Sequence, residues 1–370
     1  MSHFQNIQLE NYRNFINFKS NFIPGCNVLI GNNGSGKTNI LESLSLFDKG
    51  RGFRKENLEN IINYTSKKNN FNVSSLFCSN NTDFNLSFSI QTKNSNHSKK
   101  LIVNNNSSSD SVKYFESLIS LIFFLPEMER LFLNSPSVKR NFIDRLIYNS
   151  DKNYNQLINS YKKNILERNK ILKDYKYDNN WIKEIEKKIV NLGIKIYDKR
   201  LEHLSIINLN LRELKSFKEY YYRVVLSIHD DLIQDVKYSI NEIYEQYLSN
   251  LEKNRYFDSV FGGCKIGPHK SDISGHNIED NFNVKHFSTG QQKTLILLII
   301  LAQCKFLIKD LNVKPIILFD EVCSHLDNEN REVLLDLIET LNVQTFMTGT
   351  EKNYFSFLST KASYCNISET

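Results

Sequence analysis

Hydrophobic and polar positions alternate in short steps over residues 3 to 9 and 15 to 22, a period of two that predicts strands. A short apolar run, NVLIG at 27–31, leads directly into a loop rich in glycine. Beyond Lys37 the apolar residues Ile40, Leu41, Leu44 and Phe47 fall three and four apart, which predicts a helix. Within 71–103, FNVSSLF, FNLSFSI and KKLIV read as strands separated by turns rich in Asn and Ser. NNNSSSD at 104–110 reads as a linker.

From about 112 to 252 the pattern changes. Glycine nearly disappears, and Ile182, Ile185, Ile189, Leu192 and Ile196 follow a 3-4-3-4 spacing. That spacing predicts a long amphipathic helix, too brief for an extended coiled coil and better suited to a compact helical lobe. Glycine and strand-like patterns return near 257. TLILLIILAQCKFLI at 294–308 is apolar on every side, yet too short and too interrupted to span a bilayer, so a buried core helix is expected. The expected organisation is one α/β head formed by residues 1–110 and 253–370, with a mostly helical lobe, 111–252, inserted between them. No internal repeat is evident.

With 370 residues the chain can bury two separate cores. Its 40% hydrophobic and 24% charged residues are ordinary for a globular protein, so composition does not point to a membrane or disordered class. The net charge of +6 permits a polyanionic partner without demanding one. Cys26, Cys78, Cys264, Cys304, Cys323 and Cys365 are scattered with no C-x-x-C pair, and they read as reduced, buried side chains of a cytoplasmic protein. The start, MSHFQNIQLENYRNF, has no basic stretch before an apolar core, so no signal peptide is expected.

Gly31-Asn32-Asn33-Gly34-Ser35-Gly36-Lys37-Thr38 satisfies G-x-x-x-x-G-K-[ST], between an expected strand and an expected helix. Such a loop turns its backbone N–H groups inward around phosphate, Lys37 reaches the β- and γ-phosphates, and Thr38 ligates Mg²⁺. KPIILFDE at 314–321 reads as a buried parallel strand ending in two acids. Asp320 is the candidate to hold Mg²⁺ through water, and Glu321 the candidate to polarise the attacking water. In FSTGQQKTLILL at 287–298, Ser288 and Thr289 are good helix caps, but a cap alone does not account for Gly290 and Gln291 beside them. In SHLD at 324–327, Asp327 suits either a helix N-terminus or a functional loop.

Ser288-x-Gly290-Gln291 resembles the signature motif of the ATP-binding cassette superfamily. There this motif meets the γ-phosphate of a nucleotide held by a second copy, and the loop matching SHLD crosses the same interface. The resemblance narrows to the RecF family of bacterial recombination mediators across essentially the whole chain. It is carried by ENYRNF (10–15), GNNGSGKTNILESL (31–44), GRGFR (50–54), FFLPEMERL (123–131), KRNFIDRLI (139–147), YKKNILERNKIL (161–172), GPHKSDI (267–273), FSTGQQK (287–293) and ILFDEVCSHLD (317–327). The family pattern leads one to expect acids at Met128 and Ser271, and Gln or Gly at Thr289.

The resemblance implies an ABC/SMC-type P-loop ATPase head with an inserted helical lobe. It implies a cytoplasmic protein that binds ATP with Mg²⁺ and DNA (single-stranded, gapped or at a duplex junction), with no membrane role. It further implies an ATP-dependent homodimer with weak DNA-dependent ATPase activity. RecO and RecR are the implied partners in loading RecA during gap repair, replication restart and the SOS response. Arg13, Arg51 and Arg54 become candidate extra phosphate contacts, though surface arginines are commonly just solvated. Lys139-Arg140 and Lys162-Lys163 read as solvated doublets rather than a DNA groove. A transport ATPase subunit would have a smaller insertion and usually a switch histidine in VQTFMTGT, where this chain has Thr348 and Thr350. An SMC arm would need far more heptads, and a nuclease an added acidic metal-binding domain.

Overall fold

The computed structural model describes residues 2–49, 52–66, 70–93, 96–174, 178–214, 223–233, 240–279, 281–324, 326–358 and 362–367. The chain divides into two compact units, Met1–Glu129 with Ile300–Thr370, and Arg130–Ile299.

The first unit holds two sheets. One is antiparallel, in the order β3 (Phe15–Asn21), β2 (Asn6–Tyr12), β5 (Asn72–Ser79), β6 (Thr82–Lys93), β7 (Asn96–Val103), with β1 (His3–Phe4) also paired to β5. The other is parallel, in the order β13 (Ser363–Asn366), β4 (Cys26–Ile30), β12 (Thr345–Gly349), β11 (Ile316–Phe319), β8 (Leu121–Phe124). The sequences match these environments. β5 alternates between buried and half-buried positions, as a sheet with one core face requires. β4, β8, β11 and β12 are buried at every residue, so their apolar runs show no alternation. Aromatic rings fill the shared core, with Phe4 against Phe77 at 5.2 Å and Phe22 against Phe346 at 4.7 Å between centroids. Buried Gln344 ties the two sheets together: its side chain accepts from Phe4 N at 2.8 Å and donates to Phe4 O at 2.7 Å. α1 (Lys37–Ser45) adds Ile40, Leu41 and Leu44 to this core, and α2 (Ser109–Leu118) adds Phe115.

The second unit contains α3 (Pro136–Ser150), α4 (Tyr154–Leu172), α5 (Asn179–Arg212), α6 (Ile240–Lys253), α7 (Arg255–Phe261) and a two-stranded antiparallel sheet of β9 (Val224–His229) with β10 (Asp272–Asn277). α5 is the long helix that the isoleucine spacing predicts, and Ile182, Ile185, Ile189 and Ile196 are buried along it. Gly193 lies within the continuous helix, where a Cβ would lie 2.7 Å from the Tyr247 ring of α6, so glycine lets the two helices approach. The unit is tied by buried ion pairs. Arg168 of α4 donates to Glu186 of α5 at 2.9 Å, to Asp258 of α7 at 2.6 Å and to Leu251 O of α6 at 2.7 Å.

The structure differs from the sequence expectations at three places. The bounds 111–252 place Leu121–Phe124 in the helical lobe, yet these residues form β8 and pair in register with Ile316–Phe319 of β11, and the division of the chain falls after Glu129 rather than after residue 110. The second division falls within α8 (Thr289–Lys309), so Ser288, Gly290 and Gln291 lie in the second unit. Lys139 and Arg140 are not a solvated doublet: Lys139 is buried and paired with Asp272 at 2.6 Å, and Arg140 donates to Ser271 O. Lys162 and Lys163 are exposed as expected.

α8 is, among the described residues, the one helix long and apolar enough to cross a membrane, and 83% of that stretch is buried in the protein. The cysteines are free, with Cys26, Cys264, Cys304 and Cys323 buried and Cys78 and Cys365 partly so. Gly267-Pro268-His269 forms a packed turn. His269 Nε2 lies 2.7 Å from Cys264 O, which only accepts, so Nε2 carries the proton and Nδ1 accepts from Tyr161 Oη at 2.7 Å. Burial lowers the His269 pKa, in keeping with this neutral form.

Candidate nucleotide site

Residues 31–36 connect β4 to α1 at the carboxyl edge of the parallel sheet, where such sheets bind ligands. Gly36 has a φ of 99°, and a Cβ on it would lie 2.6 Å from both the Phe15 ring and the Asn14 amide. The turn between β2 and β3 therefore closes on the loop from one side. Asn14 Nδ2 donates to Ser35 O at 3.2 Å, and Asn39 Nδ2 donates to Asn14 Oδ1 at 2.8 Å. Gly34 leaves open space around its Cα. Lys37 is only 6% exposed, and its Nζ donates to Gly31 O and Asn32 O, each at 2.7 Å. Burial lowers its pKa, while Glu321 and Asp320 act in the opposite direction.

The acids lie at the end of β11. Asp320 is buried, and its carboxylate faces Thr38 Oγ1 at 2.9 and 3.0 Å. β12 lies between β4 and β11, and Met347 pairs with Phe319, so Thr348 comes level with Asp320. Thr348 Oγ1 donates to Asp320 Oδ1 at 2.7 Å and accepts from Glu321 N at 2.8 Å. In the sequence Thr348 stands out only as a threonine where a transport ATPase usually has a switch histidine. Its role follows from strand order, which no local motif encodes. Glu321 has a φ of 51°, a conformation that costs a non-glycine residue roughly 1–3 kcal/mol and that clusters at functional sites. The strain is held by Thr348 and by Ser324, whose N and Oγ donate to Glu321 O at 3.1 and 2.7 Å. Lys37, Glu321, Thr348, Asn33, Arg331 and Tyr354 line a pocket of about 330 Å³.

A larger pocket of about 810 Å³ opens beside Asn14 and Asn39, lined also by Arg13, Arg54 and Tyr64. Here Arg13 is neither solvated nor aimed at the loop. It grips the fully buried Glu42 through two bonds of 2.7 and 2.9 Å, and donates to Asn60 O at 3.0 Å. Arg54 shares Glu42 at 3.2 Å. Arg51 lies outside the described residues.

Ser288 and Gln291 form a reciprocal capping box on α8. Gln291 Oε1 accepts from Ser288 N at 2.8 Å, and Ser288 Oγ accepts from Gln291 N at 3.3 Å. Gly290 O accepts from Thr294 Oγ1 at 3.0 Å. Asp327 caps α9 (Asn328–Thr340) by accepting from Asn330 N at 2.7 Å. The capping expected of these residue types is thus present at both helices.

The residues at the loop fit a magnesium nucleotide. A hydroxyl and a carboxylate converge at the loop's end, beside an ammonium. Among the described residues no group of three or more His, Cys, Asp or Glu could hold a metal alone. Thr38 Oγ1 and the Asp320 carboxylate offer the one or two protein oxygens that Mg²⁺ takes when phosphate and water complete its shell.

Residues 3–365 match the family model described as RecF/RecN/SMC N terminal domain. The DNA replication and repair protein RecF of Rickettsia conorii is 34% identical over 357 residues, 96% of each chain. That of Rickettsia typhi is 33% identical over 356 residues, again 96% of each. A solved RecF–ATP structure from the RecFOR pathway superposes with a TM-score of 0.80 at 25% identity, over 95% of this chain and 94% of that one. An SMC head domain from Pyrococcus furiosus shares the fold, with a TM-score of 0.58 at 15% identity over 100% of this chain and 94% of that one.

Proposed function

The chain belongs to the RecF family, with the ABC/SMC-type ATPase head fold, and from that premise we propose that it is an ATP-switched DNA-binding protein of replication and repair. The observation that carries this reading is the convergence of Lys37, Thr38, Asp320, Glu321 and Thr348 at one sheet edge. The loop amides other than those of Gly31 and Ser35, which donate to Gly349 O and Asn32 O, cradle the ATP phosphates together with Lys37 Nζ, and Lys37 exchanges its two loop carbonyls for phosphate oxygens. Thr38 and Asp320 would hold Mg²⁺, which would supply positive charge against the phosphates. Glu321, kept in place by Thr348, orients the attacking water and accepts its proton. Asn14, Asn39 and Tyr64 border the space for the nucleoside.

Ser288, Gly290, Gln291 and Asp327 of a second copy complete the site from across a dimer interface, where α8 presents its N-terminus to the γ-phosphate. ATP favours the closed dimer because only that state contacts the nucleotide from both sides. Closure shapes a surface that grips DNA backbone, and slow hydrolysis releases it. In the cytoplasm the protein would act with RecO- and RecR-like mediators at single-strand gaps, supporting RecA loading, replication restart and SOS induction.

Gapped-duplex binding, followed by fluorescence anisotropy, tests this reading. Wild-type protein is expected to bind more tightly with Mg²⁺-ATP. Thr348→Val frees the Asp320 carboxylate and Glu321 N–H of a buried partner, a loss of about 1–3 kcal/mol. The variant should therefore need roughly tenfold more Mg²⁺ for the same response. Affinity that is independent of nucleotide would contradict the proposal.

A further inference from the structure

α7 is built inside out. Its inner side is polar: Asp258 is buried against Arg168, and Arg255 donates to Glu186 at 3.1 Å. Its outer side carries Tyr256, Phe257, Val260 and Phe261, which are 73%, 50%, 59% and 70% exposed. Tyr256 and Val260 are one turn apart, as are Phe257 and Phe261, so these side chains share one face. A surface helix ordinarily turns its apolar face inward and its charges outward. Here the reverse arrangement is fixed by the buried pair at Asp258, which forces the aromatic face into solvent. Lys265 completes the patch, with its Nζ 5.0 Å from the Phe261 ring centroid and 6.0 Å from that of Phe257.

We propose that this face is a stacking platform for the bases of single-stranded DNA, with Lys265 placed to meet the backbone phosphates. Exposed rings offer flat surfaces that any base can stack on, and a cation among them complements a polyanion, the combination used by sequence-independent single-strand binders. Three of the four outward side chains are aromatic, which favours bases over an aliphatic protein segment. The inference rests on the DNA-binding reading above and adds to it the place and the strand form.

The test uses the full-length protein with labelled oligo-dT and, in parallel, a blunt duplex of equal length. Tyr256→Ala and Phe261→Ala are each expected to weaken oligo-dT binding roughly tenfold. The Tyr256→Leu and Phe261→Leu variants should lose as much, because leucine keeps apolar area but cannot stack. Lys265→Gln should flatten the slope of log affinity against log salt by about 0.7. Duplex binding and ATP-driven self-association should stay at wild-type levels, as should thermal stability, since the altered side chains are exposed. Alanine variants that bind oligo-dT as wild type does would overturn the platform while leaving the ATP switch standing. So would leucine variants that retain binding, or variants that lose self-association instead, because either result marks a protein-docking surface. If wild-type protein binds neither DNA, both readings fall.

Discussion

Lys37→Ala is expected to remove measurable ATP binding while leaving the fold intact. The ammonium is nearly buried, and its two partners are carbonyls of the loop itself. The side chain itself lines an open pocket, so water can take its place beside those carbonyls when it is removed, and the folded state loses little. The nucleotide loses its main cation. Charge-assisted bonds are worth about 1.5–3 kcal/mol each, and two of them correspond to roughly a hundredfold or more in dissociation constant. Calorimetric titration with Mg²⁺-ATP, beside thermal unfolding of the same sample, checks both halves. An affinity within about threefold of wild type would place the phosphates somewhere other than residues 31–38.

Arg168→Met is expected to produce the opposite outcome, a large loss of stability with the nucleotide chemistry untouched. Arg168 is completely buried and joins α4 to α5, α6 and α7 through Glu186, Leu251 O and Asp258. Buried ion pairs add little net stability over apolar replacements when both partners change together. Removing one partner strands the other, at a cost of about 3–5 kcal/mol. Here two buried carboxylates would be left, and only Glu186 keeps a second arginine, Arg255. For a unit of this size the unfolding midpoint should fall by roughly 10 °C. Lys187→Met breaks an exposed pair with Glu184 and should leave the midpoint unchanged. An Arg168→Met midpoint equal to that of Lys187→Met would show that the cluster does not hold the second unit together.

Much of this was legible in the chain because the relevant forces are local. The buried parallel strands announce themselves as apolar runs, the phosphate loop by glycine spacing, and α5 by its isoleucines. Capping chemistry at Ser288, Gln291 and Asp327 also follows from residue type. What escaped is long-range. LIFF at 121–124 sits beside helical sequence, and its place on the edge of the parallel sheet depends on pairing with β11, distant in the chain. Thr348 gains its role from the position of β12 between the loop strand and the acid strand. Lys139 and Arg140 look like surface charge until Asp272 and Ser271 O are brought against them. The outward aromatic face of α7 was likewise unreadable, because an apolar stripe in sequence does not say which way it points. That orientation comes from Asp258 and its buried arginine.

The central claim is that ATP joins two copies through Lys37 and Glu321 of one and Ser288 of the other. The most direct measurement is the solution mass of Glu321→Gln with Mg²⁺-ATP, with and without gapped DNA, beside Glu321→Gln carrying Ser288→Arg. Glu321→Gln keeps the size of the side chain and removes the base, so hydrolysis should slow by roughly 10²- to 10⁴-fold and the closed state should accumulate. The account predicts a dimer that forms with ATP, holds DNA more tightly, and loses both properties when Ser288 becomes arginine. A protein that remains monomeric at every ATP concentration, and binds gapped DNA equally well without nucleotide, would contradict it.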